Sequence, residues 1–435
     1  MQMQGLFILI CLFVLSTLYK NKPLLVIVLF GIITKLVYLV VVQNINPNSV
    51  FLADSNGYVR LGENLYNHLI FSQSGDSNLL RPDSMRLPLY PLLISLLYWL
   101  DLSILYLLVF IILLTGICTL FIYQITFKMT GKYKFGLLAA SLYCLDPITL
   151  YFSNTVLTET LFQFLVLSSI WLVLIPQYKS KYIYAALTFG LALYLRPVIV
   201  LLPILLYTYW AVKNKNSIQS KSIVHLAIAI YLMFPAVWIA RNYITFNQPF
   251  LSTVLSINLF HHFIPQLIEN NEEQVLYNAK YQEIESIETV QEFRLKTQEY
   301  YLEAILKKPF KSVLIIANTS LMVLIKPLNA YFDLQLNFKN DRVGINKLFH
   351  GHTFTLFMTW LQILIVALFL VSFPFNSFKN DWVIVLSLAA FYFIILSGIS
   401  VPDARFKIPS TPFFAILTST GLYNFINWYE TKKQA

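Results

Sequence analysis

Apolar stretches approaching the ~20 residues needed to span a bilayer recur along the whole chain, as at 24–42, 103–126 and 383–396 with their flanks. Short loops carrying Lys and Arg separate them. This alternation predicts crossings near 5–19, 24–43, 103–127, 135–152, 157–176, 182–195, 198–212, 223–240, 353–374, 381–398 and 411–429. Basic loops such as Lys20/Lys22, Lys128/Lys132/Lys134 and Lys432/Lys433 belong on the inner side, which puts the N-terminus out and the C-terminus in. The run 5–19 resembles a signal-peptide core. It lacks a basic start and a small-residue cleavage site, however, and reads as a membrane helix. The expected architecture is an all-α polytopic membrane protein: one membrane-embedded domain over residues 1–435, with about eleven transmembrane helices, between roughly 10 and 13.

Three longer stretches then fall on the outer side: a first loop at 44–102, a second region at 241–350 and a third loop at 400–410. Chemistry is expected there. Within the second, residues 270–306 are rich in Glu, Gln, Lys and Tyr without Gly or Pro, which favours surface helix. Residues 312–325 are apolar but short. Counting them as a crossing would put Lys432 and Lys433 outside, so they are expected to be half-inserted or to lie against the protein.

Composition strengthens this picture. The 435 residues are 57% hydrophobic and 12% charged, with a mean hydropathy of +0.66, which excludes an ordinary soluble domain. The net charge of +10 does not point to nucleic acid, because the Lys and Arg residues sit in separate short loops and not on one face. Cys11, Cys118 and Cys144 lie inside apolar runs and read as packing residues. No GxxxxGK[ST] motif occurs, against an ATP-driven pump.

The candidate chemistry is acidic, basic and aromatic. In the first loop Asp54, Tyr58, Leu61 and the adjacent Leu65 and Tyr66 keep a spacing of roughly three to four residues, so a short interfacial helix can start at Asp54 or Ser55. Asp54 is then either a helix cap or a reactive carboxylate. Asp146-Pro147 closes one apolar run, and Thr158-Glu159 opens the next. Carboxylates this close to a bilayer call for a polar cavity or a partner, and capping is the alternative for both. Arg86, Arg196, Arg241 with Asn242, and Arg405 mark the same side. A guanidinium keeps its charge when partly buried and grips phosphate with two prongs, so these arginines suit a phosphate-bearing substrate, with snorkelling to lipid headgroups as the alternative. His261/His262 and His350/His352 lack zinc-site spacing with further ligands, so neither metal nor other cofactor is expected.

In order and spacing these features resemble the GT-C superfamily of membrane glycosyltransferases, in the branch similar to protein O-mannosyltransferases and lipid A aminoarabinose transferases. The resemblance rests on Asp54-x-x-x-Tyr58, Arg86-Leu87-Pro88-Leu89-Tyr90-Pro91, Asp146-Pro147 with Glu159, Arg196-Pro197, Trp238-x-x-Arg241-Asn242, and Arg405-Phe406-x-x-Pro409. It implies a GT-C fold in the cell membrane with the site on the extracytoplasmic side. It further implies a sugar donor linked to polyprenyl phosphate and a lipid, glycan or protein acceptor. Asp54 would be the general base of an inverting displacement, with Tyr58, Arg86, Tyr90, Asp146, Glu159, Arg196, Arg241, Asn242 and Arg405 binding substrate. Many relatives carry Asp-Glu in this loop where Ser55 follows Asp54 here, so a second carboxylate has to come from Asp146 or Glu159. The competing readings are a transporter or flippase, and a polymerase or ligase, of lipid-linked sugars. Charge clustered in loops on one side, without paired broken half-helices, weighs against transport.

Overall fold

The computed structural model describes residues 21–76, 79–175, 178, 180–213, 218–326, 328–336 and 351–434. The expected crossing at 5–19, with Cys11, lies outside them, as do Lys20, His350 and the side chain of His352. Every regular element among the described residues is helical.

The first helix, α1 (Lys22–Ile45), starts at Asn21, whose side chain accepts a hydrogen bond from the Leu24 N–H and so satisfies one of the free amides of the first turn. Then come α2 (Ser55–His68), α3 (Leu89–Trp99), α4 (Ile104–Thr130), α5 (Tyr133–Leu145), α6 (Pro147–Phe152), α7 (Glu159–Leu174), α8 (Lys181–Leu193), α9 (Leu202–Lys213) and α10 (Ile218–Phe246). Gly131 ends α4 in the left-handed region, at φ 66°.

Beyond α10 come α11 (Val254–Asn258), α12 (Ile264–Leu267), α13 (Asn271–Glu285), α14 (Val290–Lys307), α15 (Pro309–Ile325), α16 (Asn329–Leu336), α17 (Gly351–Ser372), α18 (Asp381–Ser397) and α19 (Thr411–Gln434). Proline at 309 keeps Lys308 out of the helical region, and α14 and α15 meet at a bend of 100°. The polar stretch 270–306 is therefore helical, as its composition suggests, except for a break at 286–289 between α13 and α14, and the apolar 312–325 is part of a helix that packs against α18.

Among the described residues four helices are long and apolar enough to cross a membrane: Lys22–Ile45, Ile104–Thr130, Ser222–Phe246 and Thr353–Phe375. Several further apolar helices, including α5, α7, α8 and α18, are shorter. The surface explains the composition. Along α1 an outward row of Val26, Leu29, Phe30, Ile33, Val37 and Val40 is 46–64% exposed, and α17 presents Leu356, Phe357, Trp360, Leu364 and Val371 in the same way. Continuous apolar rows of this length are stable against hydrocarbon, not against water. The core lies elsewhere. Almost all of α7 is buried, as is the first half of α19 from Thr411 to Gly421.

Several of the connecting loops are bonded to one another through their backbones. The Val156 N–H bonds the Val50 carbonyl at 2.8 Å, the Leu89 N–H the Tyr194 carbonyl at 3.0 Å, and the Thr253 N–H the Ser84 carbonyl at 3.1 Å. Tyr38 donates to Gln335 Oε1 at 2.8 Å across the same region. The first loop is pinned by α2 against α3, where Gly62 permits the close approach. A Cβ at this position would lie 2.5 Å from Ile94 Cγ2 and 3.2 Å from the Pro91 carbonyl. Gly62→Ala is accordingly expected to destabilise by about 1–3 kcal/mol through overpacking, seen as a lowered thermal midpoint in detergent. An unchanged midpoint would mean that the α2–α3 contact is not what holds the loop.

Candidate active site

Asp54 stands one residue before α2, in the N-cap position, yet its side chain makes no capping bond. It lies instead between two guanidiniums. Arg86 Nη2 donates to Oδ1 at 2.8 Å, and Arg405 Nη1 donates to Oδ2 at 2.7 Å. These partners come from the stretches 44–102 and 400–410, 32 and 351 residues away in sequence. Burial alone would raise the Asp54 carboxyl, but the two positive charges outweigh it and hold the group at about 2.

Each arginine is aimed by an aspartate that sequence reading did not single out. Asp83 Oδ1 accepts the Met85 and Arg86 backbone N–H groups at 3.0 and 2.6 Å, and its Oδ2 accepts from Gln73 Nε2 at 2.5 Å. Asp403 accepts the Arg405 backbone N–H at 2.9 Å, with Oδ2 4.0 Å from Arg405 Nε. Short Asx turns of this kind leave a signal in sequence, an Asp two or three residues before the Arg. Tyr331 donates to Asp403 at 2.5 Å from 72 residues away, a contact no local pattern announces. Burial first, and then the Asp403 carboxylate, raise the Tyr331 hydroxyl, so it keeps its proton as donor. Rings back both guanidiniums: Tyr58 lies 4.9 Å from Arg86 and Phe406 lies 5.0 Å from Arg405.

A second ion pair adjoins the first. Glu159 opens α7 and is buried, with Oε1 2.9 Å from Arg196 Nη1. Its charge acts on Arg405 and on Tyr90, and the Tyr90 ring stands edge-on to Tyr58 at 5.2 Å. Four buried polar atoms in this group find no hydrogen-bond partner: Arg86 Nε, Arg405 Nε, Tyr90 OH and Glu159 Oε2. Buried polar atoms are normally satisfied, so orphans concentrated in one place mark where a ligand or water belongs. A cavity of about 130 Å³ opens beside Arg196 and Phe406, walled by Val254, Asn258, Phe393 and Ser400.

The remaining candidates lie around this group. Arg241 donates to the Asp83 carbonyl at 2.9 Å and to Asn242 Oδ1 at 2.7 Å, within a cage of Phe71, Trp238 and Phe246. Asn242, fully buried, donates to the Phe250 carbonyl at 2.9 Å. Arg241 thus ties the end of α10 to the first loop, and Asn242 ties it to the segment that follows the helix. Asp146 caps α6 by accepting the Ile148 N–H at 3.0 Å, and its charged neighbours are Lys407 and Lys35, not the Asp54 group. Of the two carboxylates expected to supplement Asp54, Glu159 is thus the one whose charge reaches Arg405, a partner of Asp54. His262 lies close enough to feel Arg405. Burial lowers it first, followed by the charges of His261 and Arg405, which favours its neutral form at the rim. Among the described residues no three His, Cys, Asp or Glu side chains gather as metal ligands. A larger cavity of about 340 Å³, between Ile264, Leu276 and Tyr300, shares none of these residues.

No protein-family model and no curated protein matches the chain. Among solved structures it is similar to the apo form of the Archaeoglobus fulgidus oligosaccharyltransferase, with a TM-score of 0.49 and 15% identity, over 95% of this chain and 52% of that one. The chain therefore spans about half the length of that protein.

The buried Glu159–Arg196 pair gives a direct test of the site's construction. Arg196→Gln leaves a buried carboxylate without its counter-charge and is expected to cost about 3 kcal/mol, with the Glu159→Gln/Arg196→Gln double variant costing less than the sum of the two singles. A double-mutant cycle on thermal unfolding measures this, and strict additivity would contradict the coupling.

Proposed function

We propose that the chain is a glycosyltransferase of the GT-C type. In this reading it moves a sugar from a polyprenyl-phosphate-linked donor to an acceptor hydroxyl at the outer face of the membrane. The observation that carries this is the Asp54 carboxylate set between the Arg86 and Arg405 guanidiniums, at the end of an apolar bundle and among buried polar atoms that lack partners. Proton acceptor and phosphate-binding cations are thus juxtaposed where a lipid-borne substrate arrives from the bilayer.

The reaction is a single displacement. The acceptor oxygen bonds to the anomeric carbon as the bond from that carbon to the phosphate oxygen breaks. The electron pair leaves with the phosphate, the acceptor proton passes to Asp54, and the configuration inverts. A phosphate leaving group needs charge stabilisation more than protonation, and Arg86 and Arg405 supply it as fixed cations in a site poor in water. Tyr58 and Phe406 keep them in place. Glu159 with Arg196 forms the inner wall, and Tyr90 offers a hydroxyl to the sugar. The aliphatic and aromatic walls of the cavity beside Arg196 suit the first isoprene units of the donor. Arg241, Asn242 and Asp146 act through the loops they anchor. The acceptor is a lipid, a glycan or a protein.

Purified protein incubated with a panel of polyprenyl-phosphate sugars and a membrane extract as acceptor source is expected to release polyprenyl phosphate. Asp54→Asn should lose ~10²-fold or more of the rate, and Arg86→Gln or Arg405→Gln about 10²-fold to 10³-fold. Full activity in Asp54→Asn would remove the general-base role, and no release from any donor by wild type would remove the transfer reading.

A further inference from the structure

A carboxylate gripped by two guanidiniums is a weak base, because both of its oxygens are engaged and its negative charge is already compensated. The geometry around Asp54 suggests how it could be freed. The two arginines are held independently of it. Arg86 rests on the Tyr58 ring and on a backbone turn fixed by Asp83, and Arg405 rests on Phe406 and on a turn fixed by Asp403. Asp54 has no such support. Its side chain caps nothing in α2, its hydrogen-bond partners are the two guanidiniums, and at 32% it is more exposed than Arg86 at 15% or Arg405 at 25%. Rotation of the carboxylate would leave the paired guanidiniums in position, with their buried Nε atoms still unsatisfied.

We infer that Arg86 and Arg405 form a clamp for a phosphate ester, and that Asp54 is an internal anion filling this clamp until the substrate phosphate displaces it. The inference rests on the transfer reading for the identity of the ester. The charges balance: a sugar phosphodiester carries one negative charge, as does the carboxylate it replaces, so the clamp is neither empty nor doubly filled. Arg196 cannot take this role in the same way, being engaged by Glu159, and Arg241 is engaged by the Asp83 carbonyl and Asn242.

Displacement would also arm the base. Freed of both guanidiniums, Asp54 regains affinity for a proton at the moment the donor is in place, which ties proton abstraction to donor binding. As the bond to the anomeric carbon breaks, the phosphate gains a second negative charge and the clamp binds it more tightly, so the exchange favours the transition state over the ground state. The charged and titratable groups facing this exchange are Arg86 and Arg405 themselves, Tyr58 and Asp83 beside Arg86, and Asp403, Glu159 and His262 beside Arg405.

The test is a binding measurement that needs no turnover. A short-chain polyprenyl monophosphate is titrated against purified wild type, Asp54→Asn, Asp54→Ser, Arg86→Gln and Arg405→Gln, with the matching polyprenyl alcohol as control for the tail. If the internal anion occupies the clamp about nine-tenths of the time, removing it should tighten phosphate binding about tenfold. Both Asp54 variants are expected to show this gain, the arginine variants a loss, and the alcohol no change. Equal or weaker phosphate binding in stably folded Asp54→Asn and Asp54→Ser would overturn the displacement, and phosphate binding unchanged in Arg86→Gln and Arg405→Gln would overturn the clamp. Unchanged binding together with lost transfer would leave the general-base role standing and remove displacement alone. A gain in binding without transfer by wild type would keep the clamp and remove the transfer reading. Phosphatidic acid serves as a second probe. The same gain for it in the Asp54 variants would keep the clamp and assign its phosphate to a membrane lipid.

Discussion

One end of this protein is organised by the need to keep charges paired at the mouth of an apolar bundle. A carboxylate or guanidinium withdrawn from water is costly unless a partner meets it, and the cost rises as hydrocarbon surrounds the site. Asp54 meets that need by recruiting Arg86 and Arg405 from distant stretches of the chain, and Glu159 by recruiting Arg196. The loops then fold to deliver these partners. Asp83 and Asp403 each turn one oxygen, Oδ1, to the backbone amides that fix where each arginine starts, and Arg241 locks the end of α10 onto the Asp83 carbonyl. The site thus follows from pairwise satisfaction of charge.

Much of the helical framework was legible because its cause is local. An apolar run with a basic loop at its end fixes a helix without reference to any other part of the chain: 24–43 falls within α1, and 103–127 falls within α4 apart from Ser103, its N-cap. The bend between α14 and α15 was not legible as geometry, although Pro309 marks its position and the short apolar run at 312–325 pointed to an unusual element. Asp54, Arg86, Glu159, Arg196 and Arg405 could be named from sequence because charged residues flanking apolar runs are conspicuous. How they pair could not be, since Asp54 and Arg405 are 351 residues apart. The capping alternative proved apt for Asp146, which bonds the Ile148 amide, and not for Asp54, which occupies a cap position without capping. Asp83 and Asp403 left a readable trace in their Asx spacing. Tyr331 and His262 left none, because their relation to the arginines exists only in three dimensions.

A site arranged in this way carries its own negative charge where an anionic substrate would bind. Such an arrangement has a physical advantage in an apolar setting. Two bare guanidiniums facing each other would repel and would bind stray anions, whereas a clamp closed on an internal carboxylate is folded, neutralised and selective for an anion that holds it better. In the proposed transfer, the same exchange would let one aspartate be a structural counter-ion in the resting protein and a proton acceptor during reaction.

The most direct test of the account is a structure of the protein in complex with a polyprenyl monophosphate. The account predicts phosphate oxygens between Arg86 and Arg405, with the Asp54 carboxylate turned out of the clamp and open to an acceptor hydroxyl. A phosphate bound elsewhere, with Asp54 still bridging the two guanidiniums, would contradict it.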